Sequence, residues 1–552
     1  MSALARVRSD LGQLGRILAP SSARTFQRAG LLDWREGVAL GIALPWYLGR
    51  GPSLGFVSAV NAMAVGSKPA IHDRHGTLTW REVDRRTNRM ANALAGMGLR
   101  GGDSLAILLR NGREFAESIL AAQKIGVVAC PLNTWAGTRE LRDSLESVDP
   151  KALVFDALQA EQVGGVDVDD LPAIVVGDCD ASPVEAQAYE EVLAAAADDP
   201  PRPFTRRRGS SRVVIHTSGT TGRPKGAARD ASRTGVREFI ALLQVVPFRR
   251  DDVILCPAPL FHSFGLLTFT IGSILGATLV LPDRFDPEGT FAAIEEHRAT
   301  AASMVPVMIH RVLSLPEEAR SRHDVSSLRI LLASGSAIPP DLRKEIENLF
   351  GPVLYDLYGS TEAGWVSIAT PEDVGERPTT VGRPVPGVDV AVFSPHGVRL
   401  PAGQSGELFV KSSAMFEGYT SGEDRTHIGP YLSLGDLGRL DRDGYLFLEG
   451  RADDMVVVGG ENVYPREIED VVRSIPGVKD VAVFGAPDPE YGQTIVAFVV
   501  GDVEPDAVVQ ACRAQLASFK VPRRVEKVKE LPRTGTGKVL KRELLRPAGS
   551  GR

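Results

Sequence analysis

Ten consecutive residues concentrate groups that could hold a polyphosphate: Thr217-Ser218-Gly219-Thr220-Thr221-Gly222-Arg223-Pro224-Lys225-Gly226. The glycines let the backbone turn tightly and present N–H groups to an anion, the Thr and Ser hydroxyls add donors, and Lys225 adds a cation. This is not the Walker pattern, in which Gly-Lys is followed by Ser or Thr, because Lys225 follows a proline. Alone, a Gly/Thr-rich loop reads as solvated surface. The order of the ten residues, and the apolar strand expected over residues 213–216 directly before them, point instead to phosphate binding.

Further constellations follow along the chain. Gly335-Ser336-Ala337 comes after an apolar strand at 328–333. Tyr358-Gly359-Ser360-Thr361-Glu362, after an apolar turn at 353–357, offers a flat ring for a base, a hydroxyl for phosphate and a hard oxygen ligand for Mg²⁺. Asp356 lies two residues before that tyrosine, and a carboxylate there can accept a hydrogen bond. Asp436 closes the stretch 431–436, and its carboxylate can accept two hydroxyl protons, which suits a cis-diol. Gly459-Gly460-Glu461-Asn462 follows a strand at 455–458, and Pro532-Arg533-Thr534-Gly535-Thr536-Gly537-Lys538 carries one cation near the C-terminus. His262 sits in the apolar run 259–265, where a lone histidine is usually a satisfied core residue.

Taken together and in this order, these motifs resemble the adenylate-forming superfamily: acyl- and aryl-CoA synthetases, adenylation domains of peptide synthetases, and beetle luciferases. The resemblance runs from about Thr77 to Leu544. It implies that residues 217–226 form the phosphate loop, with Thr217, Ser218, Gly219, Thr220, Thr221, Gly222 and Lys225 as its contacts. It implies that Gly335, Ser336 and Ala337 line the adenine and the acyl-phosphate carbon, that Asp356 reaches the adenine amino group, and that Tyr358 and Gly359 border the base. Thr361 would serve the phosphate and Glu362 Mg²⁺. Asp436 would bind the ribose and Arg451 the ribose or phosphate. Lys538 would touch both the substrate carboxylate and the α-phosphate, neutralising charge as the pentavalent phosphorus forms. Asp453 occupies the hinge position, Gly460 borders the pantetheine tunnel, and His262 stands beside the acyl-adenylate carbonyl in a positioning or gating role. One departure is Leu434, where the family usually has threonine.

The activity so implied is a two-step ligation using ATP and CoA as co-substrates and Mg²⁺ as cofactor. A carboxylic acid is joined to AMP with release of pyrophosphate, and the acyl group then passes to CoA. Amino-acid-activating relatives place an aspartate near 257–265 to pair with the α-ammonium, and none stands there, which disfavours an α-amino acid. The expected pocket walls, Phe239, Met304, Val305, Pro306, Val307, Gly335 and Trp365, are apolar. They favour a medium- or long-chain fatty acid. Alternatives are an aryl, steroid or terpenoid acid, or loading of a carrier protein in trans. A luciferase-like oxygenase or a non-catalytic nucleotide-binding protein are rival functions, the second opposed by Lys225, Glu362, Asp436, Arg451 and Lys538.

The elements that must position these residues read as an α/β protein. From Thr77 onward, strands at 104–109 and 127–131 alternate with helices at 80–97 and 114–125, which predicts largely parallel sheets with crossover connections. The expected architecture is a large N-terminal domain of mixed β-sheets flanked by helices (56–450), after a helical extension (1–55). A small mobile α+β domain (451–552) follows, its strands at 455–458, 481–484 and 495–500 and its helices at 465–475 and 506–519. A length of 552 residues accommodates this division. A net charge of −6 disfavours a nucleic-acid partner, which needs a basic footprint. Cys130, Cys179, Cys256 and Cys512 lie far apart and form no CxxC pair, which argues against a zinc cluster or disulfide framework and fits a reducing cytoplasm. The apolar stretch 37–49 is too short to cross a bilayer and contains Pro45. It reads as a helix covering the first domain, or as a peripheral membrane contact favoured by Arg6, Arg8, Arg16, Arg24 and Arg28. A homodimer stays open at this level.

Overall fold

A computed structural model describes residues 20–31, 37–39, 53–168, 170–178, 184–202, 212–218, 224–230, 236–336, 338, 340–394, 396–420, 422, 425–451, 456–463, 465–532 and 544. Two crossover sheets form the body of the large domain, as the alternation of strands and helices requires. In the first, Leu354–Ser360, Ile330–Ala333, Ala301–Met304, Val253–Leu255, Thr278–Val280 and Pro69–Asp73 run parallel in that spatial order. Antiparallel strands close it: Gly364–Ala369 and Arg383–Pro384 at one edge, Gly76–Thr79 at the other. In the second, Gln187–Ala188, Ala173–Val176, Pro150–Asp156, Ser104–Leu108, Val128–Pro131 and Arg212–Ser218 are parallel, and Pro224–Asp230 turns back as an antiparallel edge.

The helices form where apolar residues recur at helical spacing. Trp80–Gly96 starts from a capping box in which the Thr79 hydroxyl accepts from the Glu82 N–H and the Glu82 carboxylate accepts from the Thr79 N–H. It buries Trp80, Val83, Met90, Ala91 and Leu94, while its arginines face outward or pair. Arg113–Ile125 stops at Gly126, whose φ of 72° only glycine adopts without strain. The strand Ala301–Met304 is buried on both faces, so period-2 alternation decides which core each side chain joins.

Two parts depart from the sequence expectation. Residues 353–357 are not a turn: Leu354–Ser360 is a strand, buried enough that an apolar run reads either way. A third, antiparallel sheet of Asp389–Phe393, Gly406–Lys411, Tyr431–Leu440, His427–Ile428 and Leu446–Arg451 was not expected as a separate layer.

The small domain has its own core around Val463, Ile468, Val472, Val483, Ala497 and Val508. Its sheet orders Glu461–Val463, Val456–Val458, Gly492–Gly501 and Val478–Asp488, with Arg524–Lys527 parallel to Gly492–Gly501.

In the N-terminal extension, helix Pro20–Arg28 packs on helix Val236–Val245. Arg28, one of the arginines that favoured a membrane contact, instead donates to the Leu243 carbonyl. Most of the apolar stretch 37–49 lies outside the described residues. No helix among the described residues is long and apolar enough to cross a membrane. Cys130, Cys256 and Cys512 are buried free thiols; Cys179 lies outside the described residues.

Candidate active site

The phosphate-loop motif joins the two antiparallel strands at the edge of the seven-stranded sheet. Thr217 stands opposite Lys225 and Ser218 opposite Pro224, so the ends of the motif are held in register by a ladder. Gly219, Thr220, Thr221 and Gly222 lie outside the described residues, and Thr217, Ser218 and Lys225 are described in backbone only. The return strand is fastened onward: Thr420 N–H donates to the Gly226 carbonyl at 2.8 Å, and Ala227 bridges Tyr419.

That bridge leads to Glu362. Its Oε1 accepts from the Tyr419 hydroxyl at 2.6 Å and lies 3.3 Å from Arg425 Nη2. Burial works against the Glu362 carboxylate, but the Arg425 charge and the Tyr419 hydroxyl outweigh it and hold the group below its ordinary value. An ionised carboxylate is therefore kept in a buried place. Among the described residues no cluster of three or more metal-ligating side chains exists. One carboxylate suits Mg²⁺, which keeps several waters and takes one or two protein oxygens beside substrate phosphates. Thr361 Oγ1 donates to Ser263 Oγ at 3.2 Å, at the start of helix Ser263–Leu275.

The residues expected at the nucleotide meet across two sheets. The Tyr358 hydroxyl donates to Asp436 Oδ2 at 2.6 Å, joining the Leu354–Ser360 strand to the third sheet. Asp436 pairs with Arg451 across neighbouring strands, so the two residues expected at the ribose stand side by side, Arg451 being described in backbone only. Gly359, beside Tyr358, pairs with Trp365. Leu434 is buried in the apolar core of the third sheet, so its side chain belongs to that core and the missing threonine hydroxyl has been replaced by packing. Asp356 is buried, and its Oδ2 accepts from Arg343 Nη2 at 2.5 Å. Burial pushes the Asp356 carboxyl up to about 6, with Arg343 pulling it back down.

Where the acyl carbonyl is expected, the two domains touch. A Cβ built on Gly335, whose φ is 101°, would lie 3.3 Å from Gly460 Cα and 3.4 Å from Val305 Cγ1. A Cβ on Gly460, with φ 89°, would lie 3.3 Å from Val305 Cγ1. Both glycines are needed twice over, for the backbone angle and for the close approach. The turn Gly459-Gly460 belongs to the hairpin Val456–Val458/Glu461–Val463, whose second strand approaches Arg212–Ser218. His262 Nε2 lies 2.6 Å from Glu461 Oε1, and Trp135 flanks His262 at 5.9 Å between ring centroids. Ser336 is half-buried directly after Gly335; Ala337, Asp453 and Lys538 lie outside the described residues.

Of the expected pocket walls, Phe239 and Trp365 join one core and Val305 and Val307 approach the glycines. Met304 joins Leu255, Val280, Ala302 and Leu331 in the core on the other face of the nine-stranded sheet from Phe239 and Trp365, and Val305 packs against that same core.

Sequence reasoning missed Tyr419, Arg425 and Arg343, and quoted Glu461 in its motif without giving it a partner. Tyr419 and Arg425 act across long sequence separations and leave no local pattern. Arg343 did leave one: Leu342, Arg343, Ile346 and Phe350 are the buried positions of helix Pro340–Phe350, so a charge occupies the core face of an amphipathic helix.

These motifs sit on a two-domain α/β fold whose domains meet at Gly335 and Gly460. The chain belongs to the AMP-binding enzyme family: that family's model matches residues 59–420, and the AMP-binding enzyme C-terminal domain matches residues 467–538. It is an acid–thiol ligase of the AMP-forming acyl-CoA ligase type. It is similar to a feruloyl-CoA synthase of Amycolatopsis sp, 33% identical over 86% of this chain and 95% of that one. It is also similar to the long-chain-fatty-acid–CoA ligase FadD13 of Mycobacterium tuberculosis, 31% identical over 84% of this chain and 92% of the relative. Among solved structures, the amide bond synthetase McbA from Marinactinospora thermotolerans matches with a TM-score of 0.79 and 30% identity, over 86% of this chain and 96% of that one.

Proposed function

We propose that the protein activates an apolar carboxylic acid, a medium- or long-chain fatty acid, as its acyl-adenylate and transfers the acyl group to CoA. The observation that carries this reading is the close approach of Gly335, Gly460 and Val305 at the domain junction, together with the His262–Glu461 pair between the same two domains. Glycines at this junction leave the backbone unencumbered by side chains of their own, which suits a slender thiol co-substrate reaching an acyl carbon there once the domains adjust.

In the first step a carboxylate oxygen attacks the α-phosphorus of ATP, forming the mixed anhydride while the bond to pyrophosphate breaks. The motif 217–226 cradles the phosphates, Tyr358 lies against the base, Asp436 accepts from the ribose hydroxyls, and Lys538 neutralises charge on the attacking carboxylate and α-phosphate. Glu362 would hold Mg²⁺ arriving with ATP, and the ion when bound neutralises phosphate charge. In the second step the CoA sulfur attacks the acyl carbon, losing its proton, and AMP leaves. Lys538 serves the first step from the same small domain that presents Gly460 in the second, so the small domain turns about Asp453 between them. The arrangement with Gly460 at Gly335 is read as that of thiol transfer.

The apolar character of Phe239, Val305, Val307 and Trp365 supports a hydrocarbon chain. A flat aromatic acid is the second reading, favoured by the buried Trp365 ring and by the name of the feruloyl-CoA synthase relative. AMP release across carboxylic acids of graded length, with benzoates and cinnamates alongside, separates the two. Rates rising with chain length are expected, and preference for the aromatic acids overturns the fatty-acid reading. Running the panel with CoA, with a holo-carrier protein and with neither tests the acceptor. Faster release with the carrier than with CoA would replace CoA as the acceptor.

A further inference from the structure

Two segments read above as adenine-facing, the turn from Gly335 and the carboxylate of Asp356, are tied together by one side chain that belongs to no motif. Arg343 Nε donates to the Ile338 carbonyl at 3.2 Å, and its Nη2 donates to Asp356 Oδ2 at 2.5 Å. Both side chains are 4% exposed. Asp356 pairs in parallel register with Ala333, two residues before Gly335, and in antiparallel register with Ala369. Neither flanking strand sets a charge opposite it, so among the described residues Arg343 is the charged group that faces Asp356.

A guanidinium is a planar fork with donors at fixed angles, and here one arm fixes the loop while another fixes the carboxylate. With Oδ2 taken, the carboxylate presents its remaining oxygen as an acceptor in one orientation. We propose that Arg343 is a positioning residue for base selection, holding Asp356 so that the nucleotide taken is a 6-aminopurine rather than a 6-oxopurine or an unsubstituted purine. The amino group of adenine donates to such an oxygen, whereas a 6-carbonyl meets it acceptor to acceptor. The inference rests on the reading of Asp356 as adenine-facing. It goes further in assigning the selectivity to a pair in which one member never touches the nucleotide.

The test compares kcat/KM for ATP with that for purine riboside triphosphate, which lacks the 6-amino group. It uses the full chain, Asp356→Ala, Arg343→Met and Arg343→Lys, with pyrophosphate release as readout and thermal melting as the check on folding. The unaltered protein is expected to favour ATP by about tenfold or more, since a site built around a donor rejects the analogue lacking it. Asp356→Ala is expected to abolish that preference and Arg343→Met to reduce it to about threefold or less. Arg343→Lys, which keeps a charge but loses the fork, should fall between. If Asp356→Ala loses the preference while folded Arg343→Met keeps it, the inference is overturned and the reading of Asp356 stands. If Asp356→Ala keeps the preference, or the unaltered protein has none, the reading itself falls. Should Arg343→Met not fold, Arg343→Lys decides through the pH dependence of KM for ATP. With Arg343 present, KM rises as pH falls through about 6, where the Asp356 carboxyl takes up its proton. Weakening the pair moves that rise to higher pH, and an unmoved profile with an unmoved base preference counts against the proposal.

Discussion

Gly460 and Gly335 show how far a single hydrogen can matter. A side chain at Gly460 would press on Val305 Cγ1 at 3.3 Å from its first carbon, in a backbone region that L-residues avoid. Gly460→Val is therefore expected to slow thiol-dependent AMP release by roughly tenfold to hundredfold, the penalty typical of misplacing a reacting group by about an ångström. Acid-dependent ATP–pyrophosphate exchange should change little. Measuring the two half-reactions separately checks it, and equal losses in both would mean that the glycine serves the whole site. At this scale the sequence was legible wherever a residue's chemistry is carried by neighbours in the chain. Tyr358, Thr361 and Glu362 could be named from five consecutive letters. What holds Glu362 ionised could not, because Tyr419 and Arg425 lie 57 and 63 residues away.

Elements were readable where periodicity is strong and ambiguous where burial is complete. Helices Trp80–Gly96 and Arg113–Ile125 lie within a residue of their expected limits. The strand Leu354–Ser360 was mistaken in part for a turn, because a strand buried on both sides carries no polar letters to mark its phase. The strand Arg212–Ser218, which enters the proposed phosphate loop, holds a titratable group of its own. His216 Nε2 lies 2.8 Å from Ser147 Oγ, and burial lowers its pKa from 6.5 to about 4. The folded state thus binds its proton less readily than the unfolded chain. The contribution to stability is fully present above pH 6.5 and is lost as the pH falls through about 4. Denaturation midpoints measured from pH 7 to 4 should decline more steeply for the native sequence than for His216→Gln. Parallel curves would show that His216 takes up its proton at the same pH in the folded and unfolded states.

Across the whole molecule, the domains are joined by a buried charge cluster as well as by the glycine seam. Lys520 of the small domain donates to Glu140 Oε1 at 2.5 Å and to Glu467 Oε1 at 2.9 Å, all three largely out of water. Burial pushes the Glu467 carboxyl up to about 7, against the pull of Lys520. Removing one member of such a cluster leaves a charge without its partner, a loss of about 3–5 kcal/mol in buried pairs. The proposed rotation separates Glu140 from Lys520 in each cycle. Glu140→Gln, which keeps an oxygen for the N-terminal cap of helix Thr138–Val148, is expected to slow thiol transfer several-fold while sparing adenylation. Single-turnover rates for each half decide it, and a loss confined to adenylation would reverse the reading of this arrangement. The two-domain architecture was legible from the motif order. This cluster was not, since its members are surface-type residues in sequence and become buried only when the domains meet.

The bridge from Ala227 to Tyr419 has a consequence beyond the site. The Pro224–Asp230 strand ends the seven-stranded sheet, and such an outermost strand would ordinarily offer unmet amides to any extended peptide nearby. A segment from elsewhere in the same chain already occupies part of that rim, and Pro224 withholds a donor at its beginning. The enzyme thus shields from self-association the strand pair Arg212–Ser218 and Pro224–Asp230 that flanks its expected phosphate-binding motif.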